Sequence, residues 1–208
     1  MTSILIIGSG GHCRSVISTV ATDNNYDIVG IIDLNFLGKK ENILNYPVLG
    51  GLELLDKYLE KNNSVFIAVG SNQTRRKVKN LLVKYEINYP TLIHPSSFID
   101  SSATIGNGSF IGAHANVGPL TRIGCFSIVN THSNIEHESV LGDFTHLAPG
   151  SVVCGRSNLG DDVFCGANST IIERLNVARG SYFAAGTVIT RTIKTPGLRY
   201  KGIPGAPF

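Results

Sequence analysis

From Ile93 to Ile189 a bulky apolar residue recurs at every sixth position without a slip. The series runs Ile93, Ile99, Ile105, Ile111, Val117, Ile123, Val129, Ile135, Leu141, Leu147, Val153, Leu159, Cys165, Ile171, Val177, Phe183 and Ile189. All but Cys165 are aliphatic or aromatic, and cysteine behaves as a small hydrophobe when buried. Four residues after each, from Ser97 to Thr187, stands Ser, Thr or Ala, with Val163 and Leu175 the two exceptions. A helix repeats every 3.6 residues and a strand every two, so neither produces a period of six. Hexads predict a parallel β-helix, in which short strands wind round a triangular core. Three hexads make a coil of 18 residues, giving about five coils stacked roughly 4.8 Å apart. One apolar side chain per side points inward, and the small residues fit the tight corners. The winding is expected to be left-handed, an exception to the usual crossover preference.

Residues 1–91 follow a different pattern. Ser3–Ile7 is a continuous apolar run, suited to a strand buried on both faces of a parallel sheet. It leads into Gly8-Ser9-Gly10-Gly11-His12 and then a helical spacing of Val16, Ile17 and Val20. A second strand, Ile28–Ile32, ends at Asp33; a third, Ser64–Val69, ends at Gly70-Ser71-Asn72 and opens a basic helix from about Gln73. Strand, glycine turn, helix, strand predicts a Rossmann-like α/β domain with a parallel sheet. The polar segment Asn35–Gly51, which holds Pro47, is expected to be a loop feeding a helix over Leu52–Tyr58. The change of pattern near Tyr89-Pro90 gives two domains, 1–91 and 92–208. The tail, with Gly202-Ile203-Pro204-Gly205-Ala206-Pro207, is expected to be extended and to cap the last coil.

Composition narrows the class without naming it. Of 208 residues, 42% are hydrophobic and 16% charged, an ordinary globular balance. The net charge of +3 is spread without a Lys/Arg run, so neither nucleic acid nor a membrane surface is indicated as a partner. No apolar stretch is long enough to span a bilayer, and no basic segment precedes an apolar one at the N-terminus. Cys13, Cys125, Cys154 and Cys165 form no Cys-x-x-Cys pair and are expected to be reduced, in a cytoplasmic protein. A slim prism with flat faces is expected to assemble side by side, as a homotrimer.

Two places carry candidate chemistry. The turn Gly8–His12 lies where a Rossmann-like fold binds phosphates, at a helix N-terminus, and Asp33 follows at the spacing of a ribose- or base-contacting acid. Cys13 stands where a dinucleotide fingerprint needs its third glycine, which favours a mononucleotide or nucleotide-sugar site over a nicotinamide cofactor. A plain tight turn is the other reading. Gly70-Ser71-Asn72 closes the third strand at the same sheet edge. In the coils, His114 and His132 are one coil apart and should stack. His137, within Ile135-Glu136-His137-Glu138, is a histidine flanked by carboxylates, the setting of a general base. His146 and Asn130-Thr131 lie in the same coil. Solvent-exposed corner histidines are the alternative.

The hexads, together with Asn-Thr-x-Ser-x-Ile-Glu-His-Glu-x-x-Leu-Gly from Asn130 to Gly142, resemble one branch of the left-handed β-helix acyltransferases. That branch holds the N-acetyltransferases of bacterial nucleotide-linked aminosugars and the related sialic acid O-acetyltransferases. The likeness extends to the Gly-x-Gly-Gly-His turn, Asp33, Tyr46-Pro47-Val48-Leu49-Gly50, Gly70-Ser71-Asn72 with Arg75, and the final Gly-Ile-Pro. It implies that His137 is the catalytic base with Glu138 supporting it. Strand neighbours point to opposite faces, so Glu138 reaches His137 only at a corner, and Glu136 is the alternative. It implies also that His146, Gly155, Ala167 and Ala185 contact acetyl-CoA as cosubstrate, between neighbouring prisms. Gly10, Gly11, His12, Asp33, Gly70 and Asn130 are implied to hold the nucleotide-linked aminosugar. Leu34 follows Asp33 where some members carry a second acid.

The reaction implied is direct acetyl transfer from acetyl-CoA to a sugar amine, a 4-amino group of an amino-dideoxy sugar being favoured, for surface glycan synthesis. No metal is required. Three rivals share parts of the pattern: a sialic acid O-acetyltransferase, a non-catalytic nucleotide-sugar-binding trimer, and a β-helix carbonic anhydrase holding zinc through His114, His132 and His137.

Overall fold

The computed structural model describes residues 1–23, 25–39, 41–60 and 63–200. It divides into two compact units, Met1–Pro95 and the chain from Ser96 onward. The tail expected to cap the last coil, residues 202–207, lies outside the described residues.

In the first unit the apolar run forms β1 (Thr2–Ile7), in which Ile4, Leu5, Ile6 and Ile7 have no exposed surface. Helix α1 (Gly11–Asp23) follows, then β2 (Tyr26–Ile32), β3 (Asn42–Ile43), β4 (Tyr46–Gly50), α2 (Leu55–Leu59), β5 (Val65–Ile67) and α3 (Asn72–Leu81). The sheet order is β3-β4-β2-β1-β5, with β1 parallel to both β2 and β5. Strands β2 and β5 thus flank β1 on opposite sides, and the ends of β1, β2 and β5 open at one sheet edge, where ligands gather in such sheets.

Asn35–Gly51 departs from the loop expected there. β3 and β4 form an antiparallel hairpin, Ile43 opposite Tyr46, and β4 runs parallel to β2. The two turn residues, Leu44 (φ 46°) and Asn45 (φ 71°), both have left-handed backbone, as a two-residue hairpin requires. Pro47 is tolerated because the pairing of β4 with β2 begins only at Val48, opposite Ile31, and the bond toward β3 is made by the Val48 N–H to the Glu41 carbonyl. The helix expected over 52–58 is a 3₁₀ turn, Leu52–Leu54, continued by α2. Helix α3 starts where the Ser71 hydroxyl accepts the Thr74 N–H at 3.4 Å.

The second unit is a parallel β-helix. Its strands are two residues long and repeat every six, forming three faces. The first face runs from Phe98–Ile99 through Asn116–Val117, Asn134–Ile135, Val152–Val153 and Thr170–Ile171 to Val188–Ile189. The second runs from Thr104–Ile105 to Asn176–Val177, and the third includes Phe110–Ile111, Ile128–Val129, His146–Leu147, Phe164–Cys165 and Tyr182–Phe183. Each pair is in register at 18 residues, as Val117 on Ile135 shows. The inward column from Ile111 to Phe183 is buried, whereas Ile99 and Ile105 at the open end pack only partly against it.

Small residues at the corners do more than fit. The Ser127 hydroxyl donates to the Gly142 carbonyl at 3.0 Å and accepts the Thr145 N–H at 3.1 Å. Ser109, Ser139 and Ser157 repeat this double contact. These hydroxyls have no exposed surface, so losing one leaves buried backbone groups unsatisfied. At Val163 and Leu175 an apolar side chain joins the core instead.

Ser127→Ala is therefore expected to lower the free energy of unfolding by about 1–3 kcal/mol, and Leu147→Ala by about 2–5 kcal/mol through the cavity it leaves. Chemical denaturation followed by circular dichroism measures both. A Leu147→Asp protein that folds and melts like the parent would overturn the inward register.

Candidate active site

At the sheet edge of the first unit a cavity of about 360 Å³ is lined by Gly8–His12, Asp33–Asn35, Ala68–Gly70 and Thr74. It brings together Gly10, Gly11, His12, Asp33 and Gly70, each contributed by the segment following β1, β2 or β5. The glycines differ in purpose. A Cβ on Gly8, whose φ is +110°, would meet Val69 Cγ2 at 2.8 Å and the Ala68 carbonyl oxygen at 2.9 Å, so the turn itself demands glycine. A Cβ on Gly10 or Gly11 would meet nothing within 4 Å. Neither is held to glycine by its neighbours, and both leave space open beside the α1 N-terminus, whose N–H groups favour an anion.

The walls of this cavity are braced from behind. Arg14 Nη1 donates to the Ser9 and Gly10 carbonyls, both at 3.0 Å. Arg75, 1% exposed, donates to the Val69 carbonyl at 2.8 Å, the Gly70 carbonyl at 3.2 Å and Asn72 Oδ1 at 2.9 Å. Asp33 Oδ1 accepts the Asn35 N–H at 3.0 Å, which fixes the turn after β2.

In the second unit His137 lies at the corner joining the first and second faces. Its Nδ1 is 3.0 Å from Glu138 Oε2. A carboxylate only accepts, so Nδ1 carries the proton, and in the neutral imidazole the lone pair is left on Nε2. Glu138 reaches back because it occupies the left-handed region, φ 58°. A strand neighbour could not do this. Glu136, the other candidate, accepts instead from Asn134 Nδ2 at 2.6 Å. Arg156 Nε donates to the same Glu138 oxygen at 2.8 Å. The Arg156 guanidinium and then His137 hold the Glu138 carboxyl below the usual carboxylate range, so it stays ionised throughout the neutral range. Gly155 lies directly beneath: a Cβ there would come 2.6 Å from His137 Nε2. Gly155 thus clears room for the imidazole. Arg156 was not singled out from sequence, although its position 18 residues beyond Glu138 marks the same corner.

The other expected site residues stand elsewhere in the prism. His146 lies on the third face, opposite the His137 corner, 8% exposed and edge-on to Phe164 at 5.2 Å. The expected gathering of both histidines with Asn130 in one coil is corrected accordingly: they share a coil but face different directions. Asn130 is at the corner between the third and first faces, where its Oδ1 accepts the Thr131 N–H at 2.8 Å. Ala167 and Ala185 follow in that same corner column, apart from Gly155. His114 and His132 stack there as expected, with ring centroids 4.9 Å apart.

The cysteines are free. Burial pushes the Cys13 thiol up to about 11 and Cys165 up to about 12. Cys154 is raised by burial, then by Glu173 and Glu136. None of these three is a thiolate nucleophile at neutral pH. Among the described residues no group of three or more His, Cys, Asp or Glu side chains is placed to hold a metal ion, and no helix is long and apolar enough to cross a membrane.

Known proteins share both halves of this architecture. Residues 3–82 match the PglD N-terminal domain family. The acetyltransferase domain of PglB from Neisseria gonorrhoeae superposes with a TM-score of 0.88 at 29% identity, covering 100% of both chains. PerB from Caulobacter crescentus, solved with CoA and GDP-perosamine, gives a TM-score of 0.86 at 26% identity over 93% of this chain and 91% of its own. The UDP-N-acetylbacillosamine N-acetyltransferase of Bacillus subtilis is 30% identical over 114 residues, 53% of this chain and 51% of that protein. The chain spans about half the length, or less, of the curated relatives it matches. An α/β N-terminal domain followed by a left-handed parallel β-helix is the fold that this chain shares with these acetyltransferases. Residues 3–82 carry the likeness to the PglD N-terminal domain family, and the chain along its whole length is similar to the PglB acetyltransferase domain.

Two glycine substitutions should separate structure from binding. Gly8→Ala is expected to destabilise the protein by about 1–3 kcal/mol through strain at positive φ, whereas Gly10→Ala leaves the melting temperature within about a degree, the space being open. Differential scanning calorimetry distinguishes them, and equal losses would show that Gly10 too serves only the turn.

Proposed function

We propose that the protein transfers the acetyl group of acetyl-CoA to the amino group of a nucleotide-linked amino-dideoxy sugar, a 4-amino sugar being favoured. The carrying observation is the His137–Glu138 contact: an imidazole locked by its Nδ1 proton onto a carboxylate, with the Nε2 lone pair left as base. The amine nitrogen attacks the thioester carbonyl carbon, and His137 Nε2 takes the proton that nitrogen loses. The C–S bond then breaks, the amide forms, and the proton passes to the departing CoA sulfur. Glu138 stabilises the imidazolium in between. No acyl-enzyme is needed, in keeping with the raised thiols of Cys13, Cys154 and Cys165. PerB was solved with CoA and GDP-perosamine, and the PglB domain with acetyl-CoA, which supports both substrate classes.

Residues 1–91 take the nucleotide sugar: the open space over Gly10 and Gly11 admits a phosphate at the α1 N-terminus, and Asp33 and His12 supply polar contacts from the same cavity wall. Residues 92–208 take acetyl-CoA through His146, Gly155, Ala167 and Ala185. These residues lie on different sides of one prism, so a complete site takes side chains from two copies, which supports a homotrimer. Four free cysteines suit the reducing cytoplasm.

Purified protein mixed with acetyl-CoA and a panel of nucleotide-linked aminosugars, with free sialic acid as a further acceptor, tests the reaction by thiol-reagent detection of released CoA. Release with a nucleotide 4-aminosugar is expected, and His137→Ala should cut it by about 10²–10⁴-fold with an unchanged circular dichroism spectrum. Release with sialic acid alone would replace the amine by a hydroxyl acceptor; silence throughout would reject transferase activity.

A further inference from the structure

Gly155 and Arg156 lie one coil beyond His137 and Glu138 and grip that pair at two points. The Arg156 backbone N–H donates to the His137 carbonyl at 2.9 Å. Its side-chain Nε donates to Glu138 Oε2 at 2.8 Å, the oxygen that also meets His137 Nδ1. We propose that Arg156 is a positioning residue of the reaction, fixing the Glu138 carboxylate against His137 from the neighbouring coil and drawing off part of its charge. The inference rests on His137 being the general base.

Both effects come from one shared oxygen. Glu138 projects from a corner, and its side chain and that of Arg156 are 40% and 50% exposed. Without a second partner the carboxylate would keep its contact with the imidazole but lose the bond that fixes its orientation. A guanidinium is charged at every working pH and orients a carboxylate firmly. It is also the first cause of the lowered Glu138 carboxyl, ahead of His137. A carboxylate already bonded to a cation stabilises an imidazolium less than a bare one does. Removing the guanidinium leaves the full carboxylate charge to His137, which then releases its proton less readily. The other charges about this corner are Glu136 and Glu173, both acting on the Cys154 thiol, and Arg174 one coil beyond Arg156. Glu136 is engaged by Asn134 and does not replace Glu138. An exposed pair of this kind adds little to stability, so its worth lies in placing charge.

Nuclear magnetic resonance of the full chain carrying ¹³C-labelled histidine tests this in low-salt buffer, the His137 signal being assigned by its loss in His137→Ala. In Arg156→Gln the His137 titration midpoint is expected to rise by roughly 0.5–1 pH unit. The acidic limb of kcat/KM should move with it, so the rate at about pH 6 falls roughly 3–10-fold while the rate at about pH 8 changes less. Arg156→Lys keeps the charge and should restore most of the midpoint. In a Glu138→Gln background, Arg156→Gln should shift nothing further. An unmoved midpoint in Arg156→Gln, or an equal shift without Glu138, overturns the proposal; a purely structural role would lower Tm and leave the midpoint in place. The titration needs no substrate, so failure of every acceptor to release CoA would reject the proposed reaction while leaving this result standing.

Discussion

Main-chain hydrogen bonds between coils govern everything else from Ser96 to Tyr200. A strand N–H donates to the next coil, as Gly124 does to the Leu141 carbonyl at 2.8 Å, and a corner N–H donates to the previous one, as Phe144 does to the Cys125 carbonyl at 2.8 Å. Buried serine hydroxyls add a second set between the same coils. With so much of the backbone committed between coils, a residue's direction is decided by its place in the 18-residue cycle. Val117 under Ile135 and Asn116 under Asn134 follow from the same count. So do Gly155 under His137 and Arg156 under Glu138.

The corners turn through left-handed backbone. His114, Phe126, His132, Glu138, Phe144, Arg156 and Arg174 all lie between φ 55° and 62°, a region that costs a non-glycine residue about 1–2 kcal/mol. The inter-coil bond from each corner N–H offsets that cost, as Glu138 N to the Pro119 carbonyl at 2.8 Å illustrates. The unusual backbone also serves chemistry, because at Glu138 it turns a carboxylate back onto its own neighbour.

The inward column was legible because burial admits few residue types and the period of six has no competing explanation. The Gly10, Gly11 and Asp33 cluster was legible because strand ends in a parallel sheet converge on one edge. The corners were not: His, Leu, Phe, Glu, Arg, Asp and Asn all occupy them, so composition gives no signal where glycine would have. The hairpin at Asn42–Gly50 was hidden for a like reason, since Leu44-Asn45 performs a turn that Asn-Gly would have advertised. The separation of His146 from His137 follows from the same count, because nine residues is half of an 18-residue coil and carries the chain from a corner to the opposite face.

Because outward residues are addressed by counting, distances between functional groups on this scaffold come in steps. Moving a side chain by one hexad carries it to another face, and by three carries it about 4.8 Å along the axis; nothing in between is available. The arrangement cannot drift continuously as a loop-built pocket can. It changes in jumps, each leaving the inward column untouched, so new specificities can arise on an old prism without first eroding the stability that holds it upright.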